Sequence, residues 1–257
     1  MLNTKKIPLC ASCVFASAHR QSWRSKSKSN RSIHHHTCNK LGSGTSCDHI
    51  VLHEPGLMTQ PTGTLTYKRF WGSVLYVDHM SGFMYNNLIT GTTSMDTLKS
   101  KQAYERVAKS YGVLVKSSHA NNFRFNDKSF SGDLLKGGQT ITFCGVGAHH
   151  QNAVVESKIK EICYGGRTIL LHAKQKRPTV VSTVLWPYAV HAVVERHNIV
   201  SLDKDGKSPL EKFPGIRDEI TPTYYYTQGC TVFILEAANQ SGGTGTLNWQ
   251  PISHTGI

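Results

Sequence analysis

The sequence predicts an α/β fold, a sandwich of helices around one mixed sheet, on three observations. Three runs rich in Val, Tyr, Phe and Leu follow one another with short turns between them, which makes an antiparallel meander. After them, helical periodicities alternate with short strand-like runs. The third observation is the stretch His149-His150-Gln151-Asn152-Ala153-Val154-Val155-Glu156, which opens a long helical run with one carboxylate on an otherwise uncharged first turn.

Residues 1–44 read as a basic arm, expected to be disordered. Lys5, Lys6, Arg20, Arg24, Lys26, Lys28, Arg31 and Lys40 all precede the first acid, Asp48. Leu41-Gly42-Ser43-Gly44 is a hinge. Residues 45–200 then form the core. Its first strand is expected from Thr45 to Leu52, closed by Glu54-Pro55-Gly56, with further strands over Arg69 to Val77 and Gly82 to Ile89. Thr93-Ser94 is a helix N-cap, and Leu98, Tyr104, Val107 and Ala108 carry the helix to Gly112. Val113-Leu114-Val115 is expected as a buried strand delivering Asn121 just beyond its end. A short helix around Phe130 to Lys136 and a fifth strand over Thr140 to Cys144 follow. From Asn152 a helix places Val155, Ile159 and Ile162 on one face. A second helical pattern, Val180 to Val194, is interrupted by Trp186-Pro187. Residues 201–257 are a partly irregular extension with one strand, Cys230 to Leu235.

Composition narrows the function classes. A hydrophobic share of 39% fits a globular protein. No apolar run of membrane length appears and the N-terminus is not signal-like, so an intracellular protein without membrane contact is expected. The net charge of +13, concentrated in the arm, fits a polyphosphate partner bound by counterion release, unless the arm is simply a solvated tail. Seven cysteines without a secretory signal do not suggest a disulfide framework. Cys10 and Cys13 have metal-ligand spacing, but zinc takes four ligands. His34, His35, His36, Cys38 and Cys47 follow at irregular spacing, so no Zn²⁺ site is expected and the pair reads as an incomplete remnant.

Several segments, in order, resemble the integrase of copia-type LTR retrotransposons. Cys10 to Cys13 with His19-Arg20 resembles the end of the pre-integrase zinc module, whose upstream His pair this stretch lacks. Phe143 to Val146, then Ala148 to Asn152 and Glu156, resemble the third acidic motif and its lead-in. Leu185 to Ala189 and Ser208 to Phe213 resemble the segments after the core, and Gly229-Cys230 with Val232 to Leu235 the strand that follows. The resemblance implies an RNase H-like core, DNA as partner, a homo-oligomer, a nuclear site of action, and two Mg²⁺ or Mn²⁺ ions held between three carboxylates. In such a site one ion activates the nucleophile and the other stabilises the leaving oxygen.

Carried over by position, the three acids fall on Asp48, Asn121 and Glu156. Asn121 offers a neutral oxygen where the resemblance implies an anionic one, so metal binding and strand transfer are expected to be impaired. Phe123 and Ala153 stand where the family carries Gly. Asp78 and Asp127 are the nearby acids that would have to substitute, and Asp127 reads as a helix N-cap. His149 and His150 are either core or loop histidines or contacts to DNA phosphate near the site, and Lys158 and Lys160 are either a solvated helix face or, as the resemblance suggests, contacts to the DNA backbone. The sequence thus predicts a degenerate integrase-like protein with nucleic-acid binding. The competing expectation is a non-catalytic nucleic-acid-binding or assembly module.

Overall fold

Alternation along the strands decides the layers. The structure, a computed structural model, describes residues 10–17, 40–58, 66–122, 124–145, 149–214, 231–235 and 249–253. β1 (Thr45–Leu57), β2 (Arg69–Asp78) and β3 (Met84–Ile89) are antiparallel neighbours. β4 (Ser117–Ala120) and β5 (Thr140–Phe143) add to the far edge of β1 in parallel, giving the order β3-β2-β1-β4-β5. Successive side chains of a strand point to opposite faces. Accordingly Cys47, Val74 and Tyr76 face one apolar cluster, while Ile50, Leu75 and Val77 face another.

The first cluster lies under α2 (Ser94–Ser110) and α3 (Lys128–Lys136), which contribute Tyr104, Phe130 and Leu134. The second lies under α4 (Ala153–Lys176) and α5 (Trp186–Val200), through Val155, Ile162, Val190 and Val194. The mixed sheet with helices on both sides matches the predicted α/β class. Of the extension, α6 (Pro209–Lys212) returns to the core, with Phe213 fully buried and stacked on Phe83 at 4.4 Å between ring centroids. β6 (Thr231–Leu235) and β7 (Trp249–Ser253) form a separate antiparallel pair.

Four local expectations change. Glu54-Pro55-Gly56 does not end β1; the ladder slips between Val51 and Gly56 and continues. The slip is a docking point, because a Cβ on Gly56 would lie 2.7 Å from the Trp186 indole, whose Nε1–H donates to the Glu54 carbonyl at 3.0 Å. Val113 closes α2 instead of opening a strand. Gly112 takes φ 75°, and the Val113 amide bonds back to the Ala108 carbonyl, so the strand begins only at Ser117. Trp186-Pro187 does not interrupt a helix but starts one, Pro187 occupying a first-turn position where its missing N–H costs nothing. Finally, within the stretch read as an arm, α1 (Ala11–Ser17) is helical and rests on α4. The rest of the arm up to residue 39, with His34, His35, His36 and Cys38, lies outside the described residues, as does Phe123.

Candidate functional site

Strand register builds the site. Cys47 lies opposite Ala120 in the parallel β1–β4 pair, so the next residues, Asp48 and Asn121, come side by side. Ala120 in turn lies opposite Phe143, and the Cys144 amide donates to the Ala120 carbonyl at 3.0 Å. Three adjacent strands therefore set Asp48, Asn121 and Cys144 in one row.

Within the row, Asn121 Nδ2 donates to Asp48 Oδ2 at 2.7 Å, and the His49 backbone N–H donates to Asp48 Oδ1 at 2.8 Å. Asn121 Oδ1 is buried without a hydrogen-bond partner. The amide orientation follows from the chemistry: turned over, it would set two acceptor oxygens against each other.

Glu156 reaches this region through the start of α4. Asn152, 1% exposed, donates from Nδ2 to the Cys47 carbonyl at 3.1 Å, fixing the helix beside the residue that precedes Asp48. One turn on comes Glu156, the acidic residue of the first turn. Its field is felt in the row. Burial first, then the Asp48 and Glu156 carboxylates, push the Cys144 thiol above its ordinary range.

Two neighbours escaped sequence reasoning. Burial, then the charge of Arg124, hold the His49 imidazole down to about 4, so it is neutral at pH 7. Its Nε2 meets Thr97 Oγ1 at 3.0 Å and its ring tilts onto Phe125 at 4.7 Å. Arg124 lies in the 3-10 turn Arg124–Asn126, three residues after Asn121. Closeness in sequence, His49 next to Asp48 and Arg124 three residues after Asn121, was the signal available for either.

These donors do not fit a pair of divalent cations. Such ions need shared anionic oxygens, and here the central position offers one neutral oxygen while its amide N–H takes an Asp48 oxygen that a cation would require. Neither nearby acid repairs this. Asp78 lies opposite Thr45, whereas the residue opposite Asp48 is Leu75. Asp78 is fully buried, accepting from the Gly42 and Ser81 amides and the Ser81 hydroxyl. Asp127 is the N-cap of α3, accepting from the Ser129 amide at 2.9 Å, as predicted.

The remaining sequence candidates are dispersed. His149 and His150 open the 3-10 turn His149–Asn152, their side chains being outside the described part. Lys158 pairs with Glu161 at 2.8 Å and Lys160 is exposed on α4. Cys47 is buried in the first cluster and is no partner for Cys10 and Cys13. Those two thiols have a third soft donor beside them that the sequence reading did not name: His172, near the end of α4 and 159 positions from Cys13. No local spacing rule reaches that far.

No protein-family model matches the chain, and no curated protein matches it. Among solved structures it is similar to a chain of the simian T-cell lymphotropic virus intasome in complex with PP2A regulatory subunit B56 gamma. That match has a TM-score of 0.50 and 13% identity, covering 82% of this chain and 67% of the other. The fold is integrase-like. Lower-scoring matches are the HTLV-2 integrase catalytic core domain in complex with magnesium. Its trimeric form gives TM-score 0.44, 12% identity, 66% of this chain and 95% of that one; its dimeric form gives 0.45, 12%, 67% and 97%. In this integrase-like, RNase H-like fold, Asp48 lies on the central strand and Asn121 at the end of its parallel neighbour. Among the described residues, no helix is long and apolar enough to cross a membrane.

Proposed function

We propose that the chain is a degenerate integrase of copia-type retrotransposon ancestry, which binds DNA and has lost metal-dependent strand transfer because Asn121 stands at a metal-ligand position. One observation carries this reading: the 2.7 Å hydrogen bond by which Asn121 engages the Asp48 carboxylate. An acid and an amide satisfy each other where a pair of cations would need two acids. The net charge of +13 supports a DNA partner, with exposed Lys160 and the basic arm as contributors. Binding of this kind needs no metal. The protein acts inside the cell, in the nucleus, as a homo-oligomer.

The test is strand transfer into target DNA with Mg²⁺ or Mn²⁺ and a terminal DNA end. The unaltered chain is expected to give no product and Asn121→Asp to give a detectable amount. Robust turnover by the unaltered chain overturns the claim of inactivity. An inactive revertant that binds Mg²⁺ moves the lesion to Phe123.

A further inference from the structure

Helix α1 presents a problem of attachment. It has seven residues, well short of the length at which a helix holds itself together in water. Its apolar contribution to the core is small: Ala16 is buried, but Val14 and Phe15 are 48% and 65% exposed. Apolar burial of this extent supplies little to hold a helix against α4.

At the junction three soft donors converge. Cys10 immediately precedes α1 and Cys13 stands on its first turn. Cys10 Sγ lies 3.3 Å and Cys13 Sγ 3.9 Å from His172 Nε2, and the three atoms lie within 4.8 Å of one another. Zinc binds thiolate sulfur at about 2.3 Å and imidazole nitrogen at about 2.0–2.1 Å in a tetrahedron, which sets sulfur and nitrogen roughly 3.6 Å apart. The two observed separations bracket that value. Thiolate and imidazole donors select zinc over the hard cations an integrase-like site uses.

We propose that Cys10, Cys13 and His172 bind one Zn²⁺, with a water molecule as fourth ligand, and that this ion clamps α1 to α4. The clamp is independent of the Asp48 region and of any reading of strand transfer. It differs from a zinc module closed on itself, because one ligand comes from a core helix. Its role is structural: the metal supplies the attachment that apolar burial does not.

The experiment uses the full chain, purified metal-free under reducing conditions and titrated with Zn²⁺ against a chromophoric chelator. Co²⁺ serves as a spectroscopic stand-in. One Zn²⁺ per chain is expected, and the Co²⁺ form should show thiolate-to-cobalt charge transfer with the intense ligand-field bands of tetrahedral coordination. Cys13→Ser and His172→Gln should each weaken zinc binding by at least about tenfold, while Cys163→Ser leaves it unchanged. Thermal melts of the metal-free variants check that each is folded. Absence of zinc uptake overturns the proposal. So does uptake undiminished in His172→Gln, since the cysteines would then be using other ligands.

Discussion

A single amide decides the character of the site. Asn121 donates to Asp48 at 2.7 Å, so the two side chains satisfy each other without an ion between them. Asn121→Asp replaces that bond by two carboxylates at close range, which raises the pKa of one and destabilises the metal-free chain by about 1–2 kcal/mol at pH 7. Millimolar Mg²⁺ should recover that loss in the variant and leave the melting temperature of the unaltered chain in place. A Mg²⁺-dependent melt of the unaltered chain would contradict the mismatch between donors and cations. Asn198 is a second single residue with a large role. Its side chain accepts from the Met84 amide at 2.9 Å and donates to the Met84 carbonyl at 2.8 Å, so it pairs with the edge strand β3 from α5. Asn198→Ala strands both backbone groups in a buried setting, and chemical denaturation should show a loss of about 2 kcal/mol.

Between elements, two joints carry the strain of substitution. Gly56 is where β1 receives α5, and Gly56→Ala drives a methyl into the Pro187 ring and the Trp186 indole beside it. Unfolding should be eased by about 2–4 kcal/mol, with the environment of Trp186 fluorescence altered. The other joint is Lys101, 4% exposed on α2, which reaches Glu105 at 2.7 Å and Asp133 of α3 at 2.6 Å. Burial alone would raise the Asp133 carboxyl, but hydrogen bonds from Lys101 and Gln102 and the Lys101 charge outweigh it and hold the group below its usual range. The folded state therefore binds fewer protons at Asp133 than the unfolded chain near the ordinary carboxylate range. Its contribution is complete above that range and is lost as pH falls through the lowered value. Urea midpoints followed from pH 6 downward should show this acid loss, and Asp133→Asn should flatten it. A midpoint equally acid-sensitive in the variant would place the titration elsewhere.

For the whole molecule, charge and periodicity act at different ranges. A net charge of +13 predicts DNA affinity that falls steeply and log-linearly with salt. Filter binding across a salt series checks this, and an affinity unchanged by salt would contradict it. The sequence by itself determined the α/β class, the meander, the caps at Thr93 and Asp127, and the position of Asn121 just past a strand, because hydrophobic period and capping chemistry are local. Where β1 ends and where β4 begins were misjudged for the complementary reason. Pro55-Gly56 looks like a stop until Trp186 arrives from far along the chain, and Val113 looks like a strand until its amide is seen closing α2. Only the tertiary structure decided that Asn121 donates to Asp48, that Arg124 helps hold His49 neutral, and that His172 stands beside Cys10 and Cys13. Each depends on register between strands or docking between helices, and a chain's local pattern does not encode which distant partner will fill the neighbouring lane.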